Sequence, residues 1–236
     1  FIQAEPASRV GLIQALDAQG DNMGRFVMLL FICLISACAT QSDMKSVATS
    51  QDQCLPQPER ERLLALNEND FDQDLSGGGA GWRAVAAKAG CEIAAANLIR
   101  DYRERHSSEE TIIYWHEGQM RAFGNDYVAA IALFEKSRKP KEQDGAGWNE
   151  YVDASIAFLE RDMHALKQAR DALSAVKASP EFDLKDGVFE IPNNSGKPFK
   201  MRWPPNIDVL DGLIKCFEKS YRDAYNDATC RPAAPA

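Results

Sequence analysis

The sequence predicts a mainly α protein, with antiparallel helix pairs stacked as a solenoid of two to three repeats and closed by a C-terminal β-hairpin and a capping helix. Three observations predict it. Between residues 82 and 177 apolar side chains recur at helical spacing, interrupted by short polar or glycine-containing turns. The tetrapeptide Gly79-Ala80-Gly81-Trp82 returns as Gly145-Ala146-Gly147-Trp148, an offset of 66 residues, close to twice the ~34-residue period of helix-turn-helix repeats. Beyond Asp186 the texture changes to two alternating stretches around an Asn- and Gly-containing turn.

Taken in order, residues 39–53 are small and polar and form no core, so 38–55 read as a flexible tether ahead of a helical domain spanning 56–230. After Pro56 and Pro58, Glu59 to Leu66 starts a short helix, which the Asp- and Gly-rich stretch Asn67 to Gly81 ends. Breaks at Gly90, Ser107-Ser108, Gly124-Asn125, Pro140 to Gly147 and Arg161-Asp162 then delimit helices over 82–89, 91–105, 109–123, 126–138, 148–160 and 163–177. The short turns imply antiparallel neighbours. The hairpin is expected over 187–203, its apolar side (Val188 or Phe189, Phe199, Met201, Trp203) covering the end of the helical stack. A last amphipathic helix is expected over 206–225, with Val209, Leu210, Leu213, Ile214, Phe217 and Tyr221 on one face.

The stretch Thr111 to Pro140 resembles the tetratricopeptide and Sel1-type repeat families. Gly118 takes the small position of a first helix, Asp126-Tyr127 opens the second, Ala130 takes its small position, Phe134 its large one, and Pro140 closes the unit. Tyr114, Glu117 and Arg121 depart from the Trp, Leu and Tyr of the pattern, and Pro140 comes two residues early. Trp148, Ala165, Ala169 and Ala172 suggest a second unit up to Pro180, and Trp82 to Arg105 a weaker third. The resemblance implies a concave groove lined by first helices, with Trp115 and Gln119 on one unit and Asn149 and Asp153 on the next. Trp115 reads equally well as a core aromatic.

The chain begins with Phe, and Met23 is the better start, leaving 1–22 as an upstream segment that is not translated. Met23-Gly24-Arg25 supplies a basic n-region, and the uncharged run Phe26 to Ser36 is too short to span a bilayer but suits a signal peptide over 23–37. Leu34-Ile35-Ser36-Ala37-Cys38 resembles the lipobox of bacterial lipoproteins. The resemblance implies lipidation of Cys38 as the mature N-terminus. Because no Asp follows that cysteine, it also implies an outer-membrane anchor facing the periplasm.

Cys33 falls in the signal and Cys38 carries lipid, which leaves Cys54, Cys91, Cys216 and Cys230. Four cysteines in an oxidising compartment are expected to form two disulfides. Of the three connectivities, Cys54–Cys91 with Cys216–Cys230 joins sequence neighbours. No Cys-x-x-Cys pair exists, so no zinc site is expected.

Lys and Arg number 27 against 35 Asp and Glu, a net charge of −8, and no basic cluster tracks a phosphate backbone, so nucleic acid is not an expected partner. His116-Glu117 begins like a zinc-protease helix, but Met120 stands where the second His belongs. His106, His116 and His164 are scattered, and no Gly-x-Ser-x-Gly elbow accompanies them. Asp70, Asp72 and Asp74 alternate like a calcium loop, yet Leu75 and Gly81 occupy the positions that need Gly and Glu, so a solvated acidic loop is expected. Gly77 to Gly81 lacks the Lys-Ser/Thr ending of a phosphate loop and reads as flexible linkage.

No catalytic residue, metal or cofactor is assigned. The expected function is a non-enzymatic, membrane-anchored envelope lipoprotein that binds an envelope protein or peptide. The rivals are an envelope hydrolase acting on cell-wall or lipid material, and a structural subunit of an envelope complex.

Overall fold

The computed structural model describes residues 53–72, 81–180, 182–191 and 199–231. The expectations for the upstream segment, the signal peptide, Cys38, Asp74, the Gly77 to Ala80 stretch and the hairpin turn lie outside them. The described part is mainly helical with one two-stranded antiparallel sheet. Among the described residues no helix is long and apolar enough to cross a membrane.

Helix α1 (Gln57–Leu64) starts after Pro56 and carries Pro58 in its first turn, where a missing N–H leaves no bond unmade. The Asp-rich stretch read as a break contains one helical turn, α2 (Glu68–Phe71), because Asn67 Oδ1 accepts the Asp70 N–H at 3.1 Å and caps it. Helices α3 (Trp82–Ala86), α4 (Glu92–His106), α5 (Thr111–Phe123) and α6 (Tyr127–Lys136) follow, each packed on the next along α4–α5–α6. A 3₁₀ turn (Lys141–Gln143) leads to α7 (Trp148–Leu159) and α8 (Met163–Ser174), which pair closely. Asp162 opens α8 by accepting the N–H groups of His164 and Ala165, both at 2.9 Å.

The repeated tetrapeptide has a shared conformational reason. Gly81 (φ +64) and Gly147 (φ +78) both stand immediately before a helix that begins on Trp, in backbone conformations that side chains with a Cβ rarely adopt. Each Trp then reaches back, Trp82 Nε1 donating to Asp72 Oδ1 at 2.8 Å and Trp148 Nε1 to the Ser137 carbonyl at 2.7 Å. At Gly81 a Cβ would lie 2.0 Å from the Phe71 carbonyl oxygen, so only glycine lets α3 start against α2.

Strands β1 (Val188–Ile191) and β2 (Phe199–Arg202) pair in register, Phe189 opposite Met201. Phe189, not Val188, turns inward and is buried. The single terminal helix expected over 206–225 is corrected to two, α9 (Ile207–Lys215) and α10 (Tyr221–Asn226). The chain leaves helical geometry at Cys216, which is tied to Cys230, and restarts where the Ser220 side chain accepts the Asp223 N–H at 3.1 Å.

Two apolar clusters form the interior. One gathers Leu63, Phe71, Trp82, Leu98, Ile99 and Tyr102 from α1 to α4, beside the Cys54–Cys91 disulfide. The other gathers side chains of α5 to α10, among them Trp115, Phe134, Phe158, Leu166, Leu213 and Tyr221. Helix α5 serves both, sending Ile113 and Met120 to the first and Trp115 and Ala122 to the second.

Candidate functional site

The groove expected from the repeat pattern is not an open surface. Trp115 is 3% exposed, and its ring packs on Phe134 (4.2 Å between centroids), Tyr151 (4.7 Å) and Trp148 (5.0 Å). Gln119 is also buried. Helices α6 and α7 supply the rings around Trp115, and α10 returns to pack further along α5, with Tyr221 and Tyr225 at 5.9 and 5.5 Å from the Phe123 ring. Asn149 exchanges two 2.9 Å hydrogen bonds with the Lys139 backbone and so fastens the loop before α7. Asp153, half exposed, pairs with Arg138 at 2.7 Å. Of the four groove candidates, two are therefore core, one braces a loop and one lies on the surface.

Gly118 faces Phe134 and Leu133 of α6, Ala130 and Phe134 are fully buried, and Trp148 lies partly buried against the same cluster as Tyr127. The departures from the repeat pattern form a second constellation. Tyr114, Glu117 and Arg121 share one face of α5, three and four residues apart. Arg103 of α4 lies 4.4 Å over the Tyr114 ring and 3.2 Å from Glu117, Arg121 stands 3.8 Å from Glu117, and Arg121 also donates to Asn97 at 2.8 Å. Burial pushes the Glu117 carboxyl up against the pull of Arg103, Arg121 and Arg100. An ion-paired seam thus joins α4 to α5 where the repeat pattern has apolar contact.

Asp72 was expected in a solvated loop and is instead fully buried. His116 Nδ1 lies 2.7 Å from its Oδ1, Trp82 Nε1 donates to the same oxygen, and the Arg83 guanidinium reaches its backbone carbonyl. Burial alone would push this carboxyl up. The hydrogen bonds from His116 and Trp82, with the charges of His116 and Arg83, outweigh it and hold Asp72 below its ordinary value. An ionised carboxylate only accepts, so His116 carries its proton on Nδ1 and presents Nε2 on its other side. This carboxylate-oriented imidazole is the one constellation with the form of acid–base machinery among the described residues. No described hydroxyl or thiol hydrogen-bonds to His116, and no described group of His, Cys, Asp and Glu could hold a metal ion.

A concavity of about 1010 Å³ lies between the hairpin, α8 and α9. Phe182, Phe189 and Trp203 line it, with ring centroids 4.7 to 5.9 Å apart, and Trp203 is held by Nε1 donating to the Val176 carbonyl at 2.9 Å. Those spacings are direct ring contacts, so the aromatics form a wall and not a cage around a cation. It carries both signs of charge, and two of its pairs are Arg170 of α8 with Asp211 of α9 at 2.8 Å and Lys185 with Asp183 at 3.8 Å. Such a lining suits a partner with mixed polar and apolar side chains better than a single small ion. Arg170 and Asp211 were invisible to sequence reasoning because 41 residues separate them. Trp203, with Val188 or Phe189 as alternatives beside it, was legible through strand alternation.

Compared with family models, curated proteins and solved structures, the chain matches none of them.

Proposed function

We propose that this chain is a non-enzymatic binding protein of the bacterial envelope, held at the outer membrane by lipid on Cys38. Stacked tetratricopeptide-like helix pairs serve as its scaffold, and an extended segment of another envelope protein lies in the cleft between the hairpin, α8 and α9. The observation that carries this reading is the cleft itself, aromatic on one wall and rimmed by both signs of charge, with Arg170 held by Asp211. The close approach of Gly118 to Phe134, small against large across α5 and α6, supports the repeat arrangement. With the expected repeat groove filled by side chains, the cleft beside the hairpin is a concave surface that could take such a segment.

A photo-crosslinking residue at Glu190, on the exposed face of β1, should trap one defined protein in intact cells. The same residue at Ala132, exposed on α6, should trap none. Trp203→Ala should abolish the product. Equal labelling from both positions rejects the cleft.

The Asp72–His116 pair favours a second reading, an envelope hydrolase in which His116 is the base. Turnover of cell-wall fragments or phospholipid by the purified protein, lost in His116→Ala, would establish it and displace the binding reading.

A further inference from the structure

The cleft between the hairpin, α8 and α9 contains two kinds of group that no described residue matches. Its basic residues all have partners already. Arg170 lies 2.8 Å from Asp211 and Lys185 3.8 Å from Asp183, and Lys200 and Arg202 are engaged as well. Its acidic residues divide. Asp183 and Asp211 serve those pairs, whereas the carboxylates of Asp186 and Glu190, both exposed on the rim of the cleft, meet no cation and no hydrogen-bond donor among the described residues.

The aromatic wall shows the same gap. Rings elsewhere in the molecule carry the chain's own cations: Arg83 lies 4.2 Å over Trp82, Arg103 4.4 Å over Tyr114 and Arg161 4.2 Å over Phe217. No described cation lies over Phe182, Phe189 or Trp203. The two gaps adjoin. The Trp203 N–H donates to the Gly187 carbonyl at 2.8 Å, and Asp186 directly precedes Gly187. Glu190 stands three residues beyond Gly187 on β1, about 10 Å further at the rise of an extended strand.

We propose that the segment held in this cleft is basic: an arginine stacks its guanidinium on the Trp203 ring and donates to Asp186, and a second basic residue, about three or four positions along the segment, meets Glu190. This rests on the cleft being the binding site and names the chemistry of what it binds. Arginine fits the wall better than lysine, because its planar group lies flat on a ring and still offers N–H donors at its edge. An acidic segment would bring like charge to two carboxylates that have no cation of their own, and a neutral one would leave both as they stand in water. The chain's net charge of −8 favours the approach of a cation on the same terms.

Acetylated and amidated pentapeptides test it by amide and indole NMR on the disulfide-intact chain, with Val-Ser-Val flanked at both ends by Arg, by Gln or by Glu. The Arg peptide should shift the Trp203 indole N–H and the amides of residues 186–190. It should bind about tenfold more tightly than the Gln peptide, the combined scale of a cation–π contact and exposed ion pairs. That advantage should vanish at about 0.5 M salt and in the Asp186→Asn/Glu190→Gln chain. The variant keeps its fold, since both side chains are exposed and Asn accepts the positive φ of residue 186. Because crosslinking from position 190 gives up one carboxylate, the preference is measured on the chain that keeps both. Equal binding of the Arg and Gln peptides at these residues, a preference for Glu, or an advantage that survives the double substitution overturns the basic segment and leaves the cleft reading standing. Shifts at none of these residues with any peptide reject the cleft as well.

Discussion

The ring of Phe134 occupies the space that a side chain on Gly118 would need. A Cβ at Gly118 would lie 2.8 Å from Phe134 Cδ1 and 3.2 Å from the Leu133 Cβ. Neither neighbour is the free end of a flexible chain, so helices α5 and α6 approach this closely only because residue 118 is glycine.

Gly118→Ala should therefore destabilise on the order of 1 kcal/mol, the overpacking exceeding the gain in helix propensity. Phe134→Ala should cost about 3 to 5 kcal/mol through a cavity. Together the two changes should cost less than their sum, because the cavity accepts the new methyl. Ala130→Leu, at a fully buried position, should lose about 1 to 3 kcal/mol, whereas Glu135→Ala on the exposed face should stay within about 0.5 kcal/mol. Urea midpoints check the series, and strict additivity at Gly118 and Phe134 would refute the contact.

The buried Asp72 predicts a pH dependence of definite sign. Its carboxyl is held below the ordinary value of 3.8, so its contribution is present above that value and lost as the pH falls through the lower, folded-state one. Asp72→Asn removes an ionised acceptor from His116 and Trp82 and should cost about 3 kcal/mol at pH 7, the scale of a buried hydrogen bond to a charged group. The difference between the two proteins should shrink as the pH is taken from 5 towards 2. Glu117, pushed the other way by burial, is present in both and drops out of the comparison. Urea midpoints across that range test the sign, and a difference that grows with acid would contradict it.

Particular residues show what the chain discloses in one dimension. The tetrapeptide ending in Gly81-Trp82 and Gly147-Trp148 was legible as a repeat, because a helix start is a local event governed by glycine and the residues beside it. Alternation placed Val188 or Phe189 with Trp203 on one side of a hairpin for the same reason, and left the choice between the first two open. Tyr114, Glu117 and Arg121 were legible as departures but not as a network, since Arg103, which binds two of them, lies on another helix. Amphipathic spacing marked Tyr221 as buried without naming its neighbours, and so it missed that α10 folds back onto α5. The Asp72–His116 pair spans 44 residues and has no local signature at all.

The two disulfides close loops of different length, which sets their expected contributions. Cys54–Cys91 encloses a separation of 37 residues and Cys216–Cys230 one of 14. In the chain-entropy picture each restricts the unfolded chain by about 3 to 4 kcal/mol, the longer loop more. The Cys54→Ala/Cys91→Ala protein should accordingly lose about 3 to 4 kcal/mol by urea titration. A fragment of residues 53–231 should titrate no free thiol before reduction and four afterwards. Free thiols in the unreduced, denatured fragment would reject the pairing.

The proposed membrane anchor is testable apart from everything the fold contributes. In the proposed lipoprotein signal, the basic Met23-Gly24-Arg25, the short uncharged run to Ser36 and the small Ser36-Ala37 precede Cys38, whose thiol would be the acceptor. A lone acyl chain holds a protein to a bilayer only marginally, so stable retention requires more than one on the same residue. Cells expressing the chain from Met23 should incorporate a fatty-acid analogue into it, and the protein should partition into detergent. Cys38→Ser should abolish both, while leaving the helical domain's urea midpoint unchanged because residue 38 lies well before Cys54 and the first helix of the core. Label retained in Cys38→Ser, or detergent partitioning without label, would show that some other segment holds the chain at the membrane.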